Sequence, residues 1–75
     1  MTYEEAIGVI NEYTNSVHDE QCFEVGNCDV KAKAEEARRR VGLNIVALAR
    51  INQAETVITA HLKQYDAEQI IPNAG

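Results

Sequence analysis

From Asp29 to Pro72, the single proline of the chain, the sequence carries helix formers broken by one glycine, Gly42. In a chain of 75 residues a run of that length leaves no room for a many-stranded β fold, and it predicts an all-α protein. Aromatic residues are scarce, Phe23 and three tyrosines without a tryptophan, and there are four glycines in all. Apolar residues recur along the run in two registers. Val30, Ala34, Ala37, Val41, Ile45 and Leu48 form one stripe, and Leu43, Ala47, Ile51, Ala54, Ile58, Leu62 and Tyr65 form a second. The second is rotated from the first by roughly a third of a turn at about 100° per residue. Between Val41 and Ile51 both stripes are present, so that segment is expected to be buried on more than one side.

The amino-terminal segment predicts a shorter helix over about residues 3 to 18. Thr2 followed by Glu5 is a capping box, in which the threonine oxygen takes the N–H of residue 5 and the glutamate returns to the N–H of Thr2. Tyr3, Ala6, Ile7, Ile10, Tyr13, Thr14 and Val17 then share one face, with Gly8 beside the stripe either as a close-crossing point or as a surface residue. Residues 1 to 29 carry seven acids and no Lys or Arg, while residues 31 to 50 carry six bases against Glu35 and Glu36. The two segments are electrostatic complements, as an antiparallel hairpin requires, and the folded-back basic stretch is a poor nucleic-acid surface.

Geometry then predicts an assembly. A helix over 3 to 18 spans about 24 Å, whereas a continuous helix over about 29 to 69 spans about 60 Å. Folded back through a turn at about 19 to 28, the first helix covers the second only to about residue 45. The rest of the second stripe is left without a cover, and an apolar face of that length marks an interface. Gly42 has no turn-forming neighbour beyond Asn44, so an unbroken second helix is favoured over a three-helix bundle broken there. The expected architecture is a single helical-hairpin domain, a short acidic helix and a long one, with a tail at 70 to 75. It assembles into a homo-oligomeric helical bundle, with Leu43, Ala47, Ile51, Ala54, Ile58, Leu62 and Tyr65 at the oligomer interface.

The stretch HDEQCFEVGNCD at 18 to 29 holds His18, Cys22, Cys28 and four carboxylates, Asp19, Glu20, Glu24 and Asp29. Its H-x3-C-x5-C spacing lacks the C-x2-C pair that makes a zinc signature strong. The preferred reading is a bend: Cys22, Phe23 and Val25 tuck into the open end of the hairpin, Gly26-Asn27 turns the chain, and Asn27 or Asp29 caps the next helix. The cysteines are expected as thiols, because MTYEEAIGVI has acids where a signal peptide needs bases and the chain reads as soluble and cytoplasmic, with no membrane span. A Cys22 to Cys28 disulfide and a metal site are the alternatives.

Function is less constrained. Glu35 with Arg39 and Glu36 with Arg40 are i,i+4 ion pairs, so the three consecutive arginines point in different directions rather than forming a phosphate site. His61 lies on the second stripe as a half-buried interface residue. With no nucleophile, base or cofactor motif in view, the expectation is a non-enzymatic interaction or regulatory protein, without cofactors, that binds itself and a target protein. Small oligomeric hairpins occur among regulators, secretion adaptors and phage proteins, and some phage anti-defence proteins of this shape sequester cyclic nucleotides between subunits, an analogy of architecture alone. On it rests a second reading. Tyr3, Asn11 and Tyr13 of one subunit with Lys33, Arg38, Arg39 and Arg40 of another would hold an anionic small ligand. A metal or thiol protein using the 18 to 29 turn is the third.

Overall fold

The computed structural model describes residues 1 to 24 and 29 to 70, and within them every side chain except those of residues 20, 21 and 65 to 70. Among the described residues it is all-α, with four helices: α1 (Tyr3–Thr14), α2 (Glu20–Glu24), α3 (Val30–Val41) and α4 (Ile45–Ile70).

Helix α1 starts as its sequence predicts. Glu5 N–H donates to the Thr2 hydroxyl (3.1 Å) and Thr2 N–H donates to the Glu5 carboxylate (2.8 Å). The helix ends four residues earlier than expected, however, because Asn15 adopts a left-handed conformation (φ 54°, ψ 47°). Its N–H and that of Ser16 both return to the Asn11 carbonyl. Asparagine tolerates this conformation better than most residues, and the two returning bonds satisfy the helix end. Val17 therefore falls outside the apolar face and is 96% exposed. Val9, which the stripe omitted, is buried, whereas Gly8 is exposed with open space where a side chain would stand, so it is a surface glycine.

The long second helix is broken. Asp29 caps α3, its carboxylate accepting from Lys31 and Ala32 N–H. Twelve residues on, α3 stops at Gly42, whose φ of 60° and ψ of −121° suit a residue without a side chain. Asn44 then caps α4, its side-chain oxygen accepting from Ala47 N–H at 3.1 Å. One glycine and one asparagine suffice for the reversal because breaking there lets the second stripe be covered by the same chain, a gain of burial far larger than the few backbone bonds forgone. The rotation between the two stripes is the trace of this break.

The core lies where α1, α3 and α4 meet: Ala6, Ile7, Val9 and Ile10 of α1, Phe23 of α2, Ala34 and Ala37 of α3, and Ile51, Ala54 and Ile58 of α4. Four of these are alanines, which lets the helix axes approach closely. Arg38 of α3 crosses to α4, donating to Glu55 (2.7 Å) and Asn52 (2.9 Å). The bases of α3 with described ion pairs thus meet Glu36 on their own helix and Glu55 on α4. The acids of α1, Glu4, Glu5 and Glu12, are exposed.

Candidate functional site

The interface stripe read from the sequence is largely internal. Ala47, Ile51, Ala54 and Ile58 are buried within the single chain, and Leu62 packs partly buried against its core. The Tyr65 side chain lies outside the described residues. The argument for a second copy assumed a helix too long for its partner to cover, and the break at Gly42 removes that excess. Leu43 alone of the described stripe is fully outside, 94% exposed.

Within one chain the residues assigned to an anionic ligand are separated and engaged with others. Tyr3 stacks on His61 with ring centroids 3.7 Å apart. Asn11 holds the backbone of His18, and Tyr13 packs partly buried against the core. Lys33 and Arg40 each lie 3.7 Å from Glu36. Arg38 is held by Glu55 and Asn52, and Arg39 is exposed. An open groove of about 620 Å³ follows the outer face of α4 past Asn52, Glu55, Thr56, Thr59, Ala60 and Lys63. A single helix lines it, and its one carboxylate is already taken by Arg38.

Two places gather unusual groups. The first is the α3–α4 turn, where Leu43, Ile45 and Val46 are 94%, 78% and 73% exposed. Ile45 and Val46 begin α4, and Leu43 stands in the three-residue turn before it, so the apolar side chains sit at one end of the bundle. From Ala37 to Ala54 the sequence holds Arg38, Arg39, Arg40 and Arg50 and no Asp or Glu. Of these, Arg39, Arg40 and Arg50 are exposed, Arg50 one turn beyond Val46 on the same side of α4. The result is a convex apolar tip with a basic rim.

The second place is the segment 15 to 24, which is fixed by side chains from two helices. Asn11 clamps it, its amide donating to the His18 carbonyl (2.7 Å) and its oxygen accepting from His18 N–H (3.1 Å). Asp19 receives Cys22 N–H at 2.9 Å and so starts α2. Phe23 is buried, its ring edge-on to His18 at 5.8 Å. Glu24 lies 3.0 Å from His61 Nε2, and His61 in turn stacks on Tyr3. His61 is thus half-buried as expected, but between α1, α2 and α4 of its own chain rather than against another copy. Cys22 Sγ stands 3.3 Å from His18 Nδ1.

The bend expected at 18 to 29 is present in its described part, with Phe23 tucked in and Asp29 as the cap; Val25, Gly26, Asn27 and Cys28 lie outside the described residues. The thiol expectation is overturned at Cys22, which is disulfide-bonded. That expectation rested on the redox medium read from the sequence rather than on any contact of the sulfur itself. Among the described residues no three His, Cys, Asp or Glu side chains converge as metal ligands, and no helix is long and apolar enough to cross a membrane.

Fold and surface together define a small helical bundle with an exposed apolar tip. The chain matches no protein-family model, no curated protein and no solved structure in comparison with known proteins.

Proposed function

We propose that the protein is a small non-enzymatic helical interaction protein that binds a partner protein through the α3–α4 turn. The observation that carries this reading is the exposure of Leu43, Ile45 and Val46 side by side in a chain whose other large aliphatics, Met1 and Val17 apart, are buried or half-buried among the described residues. Isolated exposed aliphatics are ordinary, but three within four positions at the end of a bundle mark a contact surface.

Charge selects among occupants. Two tips meeting face to face would bring Arg39, Arg40 and Arg50 of both copies together, which disfavours a symmetric dimer. A partner with an apolar recess and an acidic rim satisfies both features. Full burial of the three side chains supplies on the order of 5 kcal/mol, comparable with the low end of the roughly 4–15 kcal/mol cost of association. The tip is therefore an anchor within a larger or a weak, reversible contact.

The test places a photo-crosslinking residue at position 45 in the full chain, expressed in its own cells. The expected result is one discrete cross-linked protein, diminished when Arg39→Glu and Arg50→Glu are combined and retained when Lys63→Glu is made instead. A folded chain that yields no protein adduct overturns the proposal.

A further inference from the structure

Side chains from three helices meet at His61, a place the interaction reading does not use. His61 Nε2 of α4 lies 3.0 Å from a carboxylate oxygen of Glu24, the last residue of α2. The same imidazole lies flat on the Tyr3 ring of α1, with centroids 3.7 Å apart and planes 12° from parallel. Glu24 and His61 are both half-buried, and the side chain of Phe23, one residue before Glu24, is buried in the core. The contact ties α2 to α4, so whatever strengthens it also seats Phe23.

We propose that the Glu24–His61 contact is a pH-sensitive latch, which fastens α2 and its Phe23 to α4 when the imidazole is protonated and slackens when it is neutral. Histidine is the side chain whose charge changes between about pH 5 and 8, a range in which ordinary carboxylates stay ionised. In the neutral ring an Nε2–H donates to the carboxylate as a dipole, whereas in the imidazolium the same bond joins two opposite full charges and is stronger. The stack acts in the same direction, because a cation over the face of a tyrosine ring is attracted by the ring's quadrupole. Contacts that favour the protonated form contribute stability that is present at low pH and is lost as the pH rises through the titration.

The other charged groups of the surrounding helices are engaged elsewhere or exposed. From α1, Tyr3 faces the imidazole; Glu4 and Glu5 beside it are exposed, and Glu5 is bound to Thr2 near the amino terminus. From α2, Glu24 faces it, while Asp19, just before that helix, accepts from Cys22 N–H. On α4 itself Glu55 is held by Arg38, and Lys63 is exposed along the outer groove. The described ion pairs of α3 run from Lys33 and Arg40 to Glu36 and from Arg38 to Glu55, and Lys31 and Arg39 are exposed. His18, the other histidine, contacts Cys22 Sγ and is the control for a response that arises there.

The experiment is hydrogen–deuterium exchange of the full chain at about pH 5.5 and about pH 7.5, corrected for intrinsic exchange, with the α2 peptide compared with one from residues 45 to 58 in the same sample. In the parent, protection of α2 relative to α4 is expected to be roughly two- to fivefold greater at the lower pH, the range that partly exposed ion pairs span. Glu24→Gln keeps the shape and a hydrogen-bond acceptor without the charge, and it should abolish the difference. His61→Gln should abolish it as well, and His18→Gln should retain it. An α2 whose relative protection in the parent is the same at both pH values overturns the latch, and that comparison needs no variant to fold. A pH response that survives Glu24→Gln or His61→Gln, or that His18→Gln removes, overturns it too.

Discussion

Replacing Gly42 with alanine tests the break that separates this fold from a long-helix hairpin. Gly42 sits at φ 60° and ψ −121°, roughly the mirror image of an extended conformation, which residues with a side chain avoid. A Cβ built there meets nothing within 4 Å, so crowding adds nothing and the cost is one of backbone conformation. Such a conformation costs on the order of 1–3 kcal/mol for a non-glycine residue. Alanine recovers about 0.4–1 kcal/mol by narrowing the unfolded ensemble. A net loss of roughly 1–2 kcal/mol corresponds to a fall in Tm of about 5–15 °C in a domain of this size. Far-UV circular dichroism gives the Tm, and small-angle scattering shows whether the chain escapes the strain by fusing α3 and α4. Fusion would lift the radius of gyration above the 13.4 Å of the folded-back chain and expose Ile51, Ala54 and Ile58, so the variant would then associate. Gly42→Ala with an unchanged or higher Tm and an unchanged radius would refute the reasoning.

Two further substitutions probe the core and the first cap. Ile58, fully buried, should lose about 1 kcal/mol on Ile58→Val and roughly 2–5 kcal/mol on Ile58→Ala, while Leu43→Ser, on the same sequence stripe, should stay within about 0.5 kcal/mol of the parent; urea unfolding of the three separates core from surface. At the start of α1 the Thr2 backbone N–H, and after it the Thr2 hydroxyl, hold the Glu5 carboxyl below its ordinary range. A carboxyl with a depressed folded value stabilises the fold above its unfolded value and loses that contribution as pH falls through the folded value. The destabilisation by Thr2→Ala should therefore be larger near pH 7 than near pH 3, and melts at the two pH values with equal differences would remove the capping box from the account.

Local chemistry made α1 and the caps legible. The Thr2–Glu5 box and the Asp29 cap are set by residues three or fewer positions apart, and the contacts form as the spacing requires. The early end of α1 was also local, in Asn15 and Ser16, but the stripe that continues through Val17 outweighed it. The break at Gly42 was visible only indirectly. Two apolar registers in one proline-free run fit a single helix buried on two sides and equally fit two helices that each bury one. Choosing between them requires knowing that Asn44 can cap a new helix and that α1 together with α3 can cover Ile51, Ala54 and Ile58. The H-x3-C spacing did carry the His18–Cys22 contact, four positions apart, although the stretch reads first as a bend, with a metal site only as an alternative. Tyr3, Glu24 and His61 meet from three elements, with 37 positions between Glu24 and His61, and no local pattern encodes such a meeting.

The composition of the core explains why those long-range contacts matter. Ala6, Ala34, Ala37 and Ala54 bring the helices close but bury little area each, so a chain of this length gains less from its interior than its helix content suggests. The segment leading into α2 is then held by small attachments that include the Asn11 clamp, the Phe23 anchor and the Glu24–His61 contact. The apolar tip lies at the far turn, between α3 and α4, and none of the attachments of α2 passes through it. The proposed docking at Leu43, Ile45 and Val46 is for that reason separable from the packing of α2: the tip can be changed by substitution in a chain that keeps the Ile10, Ile51 and Ile58 core.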